Sequence, residues 1–477
     1  MPLPLMMFVC DYYRNPSLQF IADPITYFAN DGAAIHALPP AEAEPLQQQA
    51  LAYRLAQLLP TVAPLAVLAD AQGLSADIAL DDVPKLLFPH SIYKSYDPAW
   101  LNALDFPRMS RWLQAFTTVD LGLADTPAFS TIDAWLDWLE RERGLDVAHS
   151  TGTTGRLSLI GRAMDDAVQR HTRNRVVFVD LMKGHGMAED DMWYHILWPG
   201  AAGGRSAQQK MADGARIMSA KSPGDFTALF DDGLGADYEL YVVRARVVRS
   251  QGRLDMPPPS AHVAEKLGEA EHRQFHFAAY QDRMLDTVAD RLAGRRVMMM
   301  GSPHGLAALA AAGLQRGVGG NFASGSAHIT VGGLKGLNAP PEYESTLQRF
   351  LGSSFAVGGY AASEMNTGYL KCPAGRFHVP PWVVMWVLDP TDGWKPRPRE
   401  GEQEGRGAFL DLAFASAWGG LVTADHLSVD YRPCACGRVT PSIGATIRRV
   451  QDRDEDHSWI PADPQAIEAA LEALNGA

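Results

Sequence analysis

Cysteine is scarce in this chain: among 477 residues only Cys10, Cys372, Cys434 and Cys436 carry a thiol. Four cysteines exclude a disulfide-stapled scaffold and fit a reducing compartment, so a cytoplasmic protein is expected. No apolar run reaches the roughly eighteen residues that a membrane-spanning helix requires. The apolar start, residues 1–10, lacks a basic leader and a small-residue cleavage site. It reads as an early strand or core segment rather than a signal peptide. Positive charge is in deficit, with 42 Lys and Arg against 55 Asp and Glu, a net charge of −13. No basic face for nucleic acid is visible. An anion site here must draw its positive potential locally, from backbone N–H groups, a few Arg or Lys, or Mg²⁺. Internal repeats and low-complexity tracts are also lacking.

What is present is ordinary globular material, 47% hydrophobic and 20% charged, enough for a sizeable core. Leu46, Ala50, Leu51, Leu55 and Leu58 recur at helical spacing, so residues 40–60 are expected as a helix. A second helix is expected over 132–139, capped by Ser130 or Thr131. Residues 165–171 look helical. The β-branched run within 175–180 is then expected as a buried strand, and 237–248 as another. A helix over 275–292, a strand over 296–300 closed by Gly301, Ser302 and Pro303, and a helix over 306–314 follow. This strand–turn–helix alternation indicates α/β architecture. Extended segments are expected near 329–336, 355–360, 380–388, 409–414 and 421–431. The charged, Pro- and Gly-rich stretch 395–407 is expected as a surface loop, and 464–474 as a short amphipathic helix.

Two constellations carry chemistry. The first is His149-Ser150-Thr151-Gly152-Thr153-Thr154-Gly155-Arg156. Its glycines permit a tight turn and close approach to a ligand, and its hydroxyls with exposed backbone N–H groups suit an anion. A Ser/Thr/Gly-rich linker has the same composition. It is not a Walker loop, because the Gly-Lys-Ser ending is missing. The second is Cys372, His378, Cys434 and Cys436, a Cys₃His set that suits a structural tetrahedral Zn²⁺. Three free thiols with a surface histidine, or one cysteine as an acyl acceptor, are the other readings.

The six residues Ser150 to Gly155 resemble the phosphate loop of the adenylate-forming superfamily, which includes acyl-CoA ligases, luciferase and adenylation domains. Further motifs follow in that family's order, over roughly residues 100–455. Val331-Gly332-Gly333-Leu334-Lys335 resembles the segment along the adenine. Tyr360-Ala361-Ala362-Ser363-Glu364 resembles Tyr-Gly-x-Thr-Glu, in which the tyrosine lies near adenine and the glutamate serves Mg²⁺. Leu421-Val422-Thr423-Ala424-Asp425 is similar to the strand whose aspartate binds the ribose hydroxyls, and Val450-Gln451-Asp452-Arg453-Asp454-Glu455 to the hinge motif. Among members, the acyl-protein synthetase of a fatty-acid reductase complex and phenylacetate–CoA ligase look nearest: Gly301-Ser302-Pro303-His304, Gly332-Gly333-Leu334-Lys335 and His378-Val379-Pro380-Pro381 resemble the former, and Cys434-Ala435-Cys436-Gly437-Arg438 is similar to both.

The resemblance implies the α/β large domain of adenylate-forming enzymes, with sheets flanked by helices over residues 1–450. Residues 451–477 would be a short remnant in place of the usual carboxy-terminal domain. It implies ATP and Mg²⁺ as cofactors and a small carboxylic acid as substrate. The acid would be activated as an acyl-adenylate and transferred to a thiol or amine, on an acyl-acceptor or carrier protein for instance. CoA thioester or amide formation from the same intermediate is the alternative, and a non-catalytic nucleotide-binding subunit is a further one. Thr153, Glu364 and Arg453 would be catalytic. Ser150, Thr151, Gly152, Thr153, Thr154, Gly155, Gly332, Gly333, Lys335, Tyr360, Ser363, Glu364 and Asp425 would bind nucleotide, with Glu364 on magnesium.

Three departures stand out: Leu157 and Ser158 replace the Pro-Lys that ends the family loop, Ala361 replaces a glycine, and no lysine follows Lys395. Arg156 or Lys335 would have to supply the missing charge. By analogy the acyl pocket draws on His185, Trp193, His195, Trp198, His304 and His328, while Met298, Met299 and Met300 suit a core or that pocket.

Overall fold

The computed structural model describes residues 16–151, 155–253, 255–330, 340–353, 355–392, 394–450 and 461–476. They divide into two compact units. One comprises Met1–Val147, Leu159–Gly184 and Tyr360–Ala477; the other comprises Ala148–Ser158 and His185–Gly359.

The first unit is built on a seven-stranded sheet. Phe377–His378, Ser442–Ile443, Gly420–Asp430, Glu402–Asp411 and Val383–Leu388 lie side by side and antiparallel. Phe88–Pro89 pairs parallel, and Arg448–Arg449 antiparallel, with the same Gly420–Asp430 strand. Every residue of Val383–Leu388 is buried, as a continuous apolar run should be when both faces of a strand are covered. The tryptophans Trp382, Trp386 and Trp418 fill this core.

Helices cover the sheet. Pro40–Leu58 buries Ala43, Gln47, Ala50, Leu51, Arg54, Leu55 and Leu58, an inward stripe at helical spacing. Ile132–Arg143 starts at the expected Thr131, whose side chain accepts from the Ala134 N–H. Pro464–Gly476 packs on Ala63–Ala71.

Three local expectations are corrected here. The stretch 175–180 is not a strand but belongs to the helix Met164–Gly184. Arg173, Val177, Phe178, Leu181 and Met182 are buried, which is one helical face, and no Pro or Gly interrupts the run before its last residue. The stretch 237–248 is likewise helical, within Ala236–Ser250, with Ala236, Leu240 and Val243 turned inward. The expected loop 395–407 ends early, because Glu402–Asp411 is a strand. Its polar first residues pair with Ser428–Asp430, so their backbone groups are satisfied by the partner strand whatever the side chains are.

The second unit holds a parallel sheet in the order Phe226–Phe230, His195–Ala201, Val297–Gly301, Ala327–Thr330, Ala356–Val357. All five residues of Val297–Gly301 are buried, which makes Met298, Met299 and Met300 core residues. Leu306 and Leu309 of the helix Pro303–Gln315 share one cluster with Met284, Leu285, Leu347 and Phe350. Each such side chain contributes about 1.5–3 kcal/mol by leaving water. Gly313 allows a close approach within this cluster: a Cβ there would lie 2.3 Å from Phe350 Cε2. The carboxyl ends of parallel strands are where α/β sheets commonly place ligands. In this sheet they carry Gly301 and Thr330, the latter's Oγ1 2.7 Å from Tyr343 Oη.

Candidate functional site

The stem of the Ser/Thr/Gly loop belongs to the second unit. The strand Leu145–Thr151 delivers His149 and Ser150 to it. The His149 N–H donates to the Arg205 carbonyl at 2.9 Å, beside Ser206, which caps the helix Ala207–Ser219 with a reciprocal capping box. The buried His149 ring places Nδ1 3.6 Å from Glu239 Oε2, in the first turn of Ala236–Ser250. At the far end Gly155 adopts φ +76°. A Cβ at Gly155 would meet Val247 and Arg244 of the same helix only at 3.6 Å or beyond, so the backbone conformation, rather than space, calls for glycine. Both ends of the loop therefore rest on one helix. Gly152, Thr153 and Thr154 lie outside the described residues, as do Gly332, Gly333, Lys335 and Arg453. Arg156 is exposed.

In the first unit, Tyr360 and Asp425 meet. The Tyr360 hydroxyl donates to Asp425 Oδ2 at 2.9 Å, and both residues are buried. The phenol ring sits among Tyr369, Phe377 and Phe409. Burial, reinforced by the Asp425 charge, pushes the Tyr360 hydroxyl well above its usual range, so it stays a donor. Asp425 Oδ1 accepts from Arg449 Nη1 at 3.3 Å, because the register sets Arg449 opposite Asp425. A carboxylate accepts about four hydrogen bonds, so beyond these two, among the described residues, Asp425 keeps acceptor capacity for further donors.

Glu364 joins this group electrostatically. Burial raises its pKa, opposed by backbone and Ser363 hydrogen bonds and by Arg449 and Arg162. Arg162, buried on the strand Leu157–Ala163, donates from Nη2 to the carbonyls of Ser363 at 2.5 Å and Met365 at 3.1 Å. It thus holds the main chain on either side of Glu364. Arg449 and Arg162 escaped the sequence reading, because 24 and 201 residues separate them from their partners.

The structure also brings Cys372, His378, Cys434 and Cys436 together, with potential ligand atoms all within 4.8 Å of one another. Both cysteine segments are tight turns. The Gly375 N–H donates to the Cys372 carbonyl and the Cys372 N–H to Arg376, while Gly437 and Arg438 repeat the pattern around Cys434. Gly375 and Gly437 take φ +78° and +92°, which glycine accepts without strain.

His378 Nδ1 lies 3.2 Å from the Thr440 carbonyl, to which it can only donate. That leaves Nε2 as the lone-pair nitrogen, facing Cys436 Sγ at 3.2 Å. Burial and then Arg438 lower His378 to about 4, so the ring is neutral near pH 7. Burial pushes the Cys434 thiol up to about 11, whereas hydrogen bonds from the Arg438 backbone and guanidinium overcome burial and draw Cys436 below the usual thiol range. His36, bonded through Nδ1 to Thr440 Oγ1 at 2.9 Å, backs this cluster without having been foreseen.

Of the acyl-pocket candidates, all lie in the second unit. His195 is buried against Thr227 Oγ1 at 2.8 Å and near Asp225, and Trp198 is buried. His185 packs on Phe355, His328 faces Glu344, Trp193 is part-exposed and His304 is exposed.

No protein-family model and no curated protein matches the chain. Solved structures do. One is 2-hydroxyisobutyryl-CoA ligase with 2-HIB-AMP and CoA in the thioesterification state, 15% identical, covering 92% of this chain and 74% of that one at a TM-score of 0.51. Another is the same ligase with 2-HIB-AMP in the postadenylation state, 14% identical, with coverage of 87% and 69% and a TM-score of 0.51. The expected α/β architecture is therefore present, and this chain shares the fold of 2-hydroxyisobutyryl-CoA ligase.

Proposed function

We propose that this protein uses ATP to activate a carboxylic acid as its acyl-adenylate and then transfers the acyl group to a thiol or amine. The observation that carries the reading is the grouping of Tyr360, Glu364, Asp425 and Arg449 on an adenylate-forming fold. Asp425 would accept the two ribose hydroxyls through its open positions, while Tyr360 fixes its orientation. The Tyr360 ring would lie near the adenine, and Gly332 and Gly333 would be further nucleotide-binding residues. Ser150 to Gly155 would offer backbone N–H groups and hydroxyls to the phosphates, with Thr153 at the transferring group. Arg453 and Lys335 would add positive charge, and Ser363 would border the site. Glu364 would hold Mg²⁺, a hard cation that neutralises phosphate charge.

In the first step a carboxylate oxygen attacks the α-phosphorus and the bond to pyrophosphate breaks. In the second, a thiolate or amine attacks the acyl carbonyl and AMP departs. The acceptor would sit on a carrier protein; coenzyme A is the second reading, supported by the CoA complex of the structural neighbour.

Zinc would be structural, held by Cys372, His378, Cys434 and Cys436. Four protein ligands with the right donor chemistry, and a histidine whose second nitrogen is already engaged, fit that role. Activation is tested by incubating the chain with ATP, Mg²⁺, hydroxylamine and a panel of acids. An activated acid is trapped as its hydroxamate, and Glu364→Gln lowers the trapping rate by about 10²–10³. A nucleotide-binding subunit without catalysis gives ATP binding and no hydroxamate from any acid.

A further inference from the structure

Arg438 lies beside the cysteine–histidine cluster and donates to two side chains at once. Its Nη1 donates to Cys436 Sγ at 3.6 Å, while Nε and Nη2 approach Asp180 Oδ2 at 3.1 and 2.5 Å. Nη2 also lies 3.3 Å from the Asp180 carbonyl. Asp180 sits near the end of the helix Met164–Gly184, and the side chains of both residues are little exposed, 11% for Arg438 and 12% for Asp180. The Arg438 carbonyl accepts from the Cys434 N–H, so one residue closes the Cys434 turn with its backbone and reaches Cys436 with its side chain.

The charge count explains why an arginine would stand here. Zn²⁺ with three thiolates and a neutral imidazole carries a net charge of 2 − 3 = −1 for the ligand set named above. A net charge away from water is costly unless paired and hydrogen-bonded. Without Arg438 that anion would also face the Asp180 carboxylate, a second negative group. A guanidinium donates in several directions within one plane and can satisfy both, which an ammonium does less well.

We infer that Arg438, aimed by Asp180, is the charge partner of a metal–thiolate centre and determines how tightly that centre retains its metal. The inference rests on the zinc reading above and adds to it a residue that is not a ligand.

The test measures zinc in the full chain by elemental analysis and its loss to a competing chelator. Wild type is expected to hold one zinc per chain. Arg438→Gln should weaken retention about 10- to 100-fold, the usual cost of losing an outer-shell partner. Arg438→Lys should fall between the two, and Asp180→Asn should weaken retention less than Arg438→Gln, because the guanidinium remains but loses its guide. Should Arg438→Gln fail to fold, Arg438→Lys and Asp180→Asn decide. Variants that retain zinc as wild type does overturn the role of Arg438 and leave the zinc site standing. A wild-type chain that takes up no zinc when folded in its presence overturns the site itself and the inference with it.

Discussion

At the scale of single residues, Glu364 and Asp425 differ in how they are held. Asp425 is fixed by Tyr360 and Arg449, whereas Glu364 is a carboxyl that burial has made easier to protonate. A cation bound there competes with a proton for that carboxyl. Apparent Mg²⁺ affinity is therefore expected to rise with pH through the region above ordinary carboxylate values, as measured by Mg²⁺ titration of the reaction. Glu364→Gln should lower acid activation by about 10²–10³, typical of losing one transition-state charge contact; an unchanged rate would remove Glu364 from the mechanism. Tyr360→Phe deletes one buried donor and should cost about 1–3 kcal/mol by leaving Asp425 Oδ2 without it, read from urea unfolding. His195 provides a second pH effect. Burial, aided by Arg295 and Arg291 against Asp225, lowers it from 6.5 to about 4. Between those values the unfolded chain binds more protons than the folded one, so stability must fall as pH drops from about 6.5 toward 4. The loss is roughly 2 kcal/mol at pH 5. Unfolding midpoints for wild type and His195→Gln over that window check it: the variant should show the shallower slope.

At the scale of elements, Gly313 sets two effects in competition. Alanine would gain about 1 kcal/mol of helix propensity. Its Cβ, however, would press on the ring of Phe350, which is fully buried, and on Leu285. Overpacking of that kind costs about 1–3 kcal/mol, so Gly313→Ala is expected to lower the melting temperature; a rise would mean that the cluster yields. The same scale shows what could be read from the chain. The helices Pro40–Leu58 and Ile132–Arg143 declared themselves by long periodic stripes and a threonine cap. The run at 175–180 did not, because four β-branched or aromatic residues fit a strand as well as a helix. Only the inward face set by Arg173, Val177 and Leu181 distinguishes them. The segment 237–248 was misread for the same reason. In the candidate site, the residues that meet, Tyr360 with Asp425 and the four Cys and His side chains, occur in short, ordered motifs that single them out in the sequence. Arg162, Arg449 and His36 are not singled out, since each acts across a long stretch of sequence through a geometry that tertiary packing alone creates.

At the scale of the whole molecule, a likeness of 14–15% identity establishes a shared fold and leaves the chemistry to the residues. The Cys/His cluster bears on stability as a whole: it ties segments 372–378 and 434–440 to His36 and to the helix Met164–Gly184. Removing zinc with a chelator, or changing Cys434 to Ser, is expected to lower the melting temperature of the chain by several degrees, and added zinc should restore it after chelation. Acid activation is tested by exchange of labelled pyrophosphate into ATP by the full chain across a panel of carboxylic acids. Adenylation predicts label in ATP only when a cognate acid is present, and its loss in Glu364→Gln. A chain that binds ATP yet exchanges no label with any acid, alone or with candidate acceptor proteins, would contradict the account.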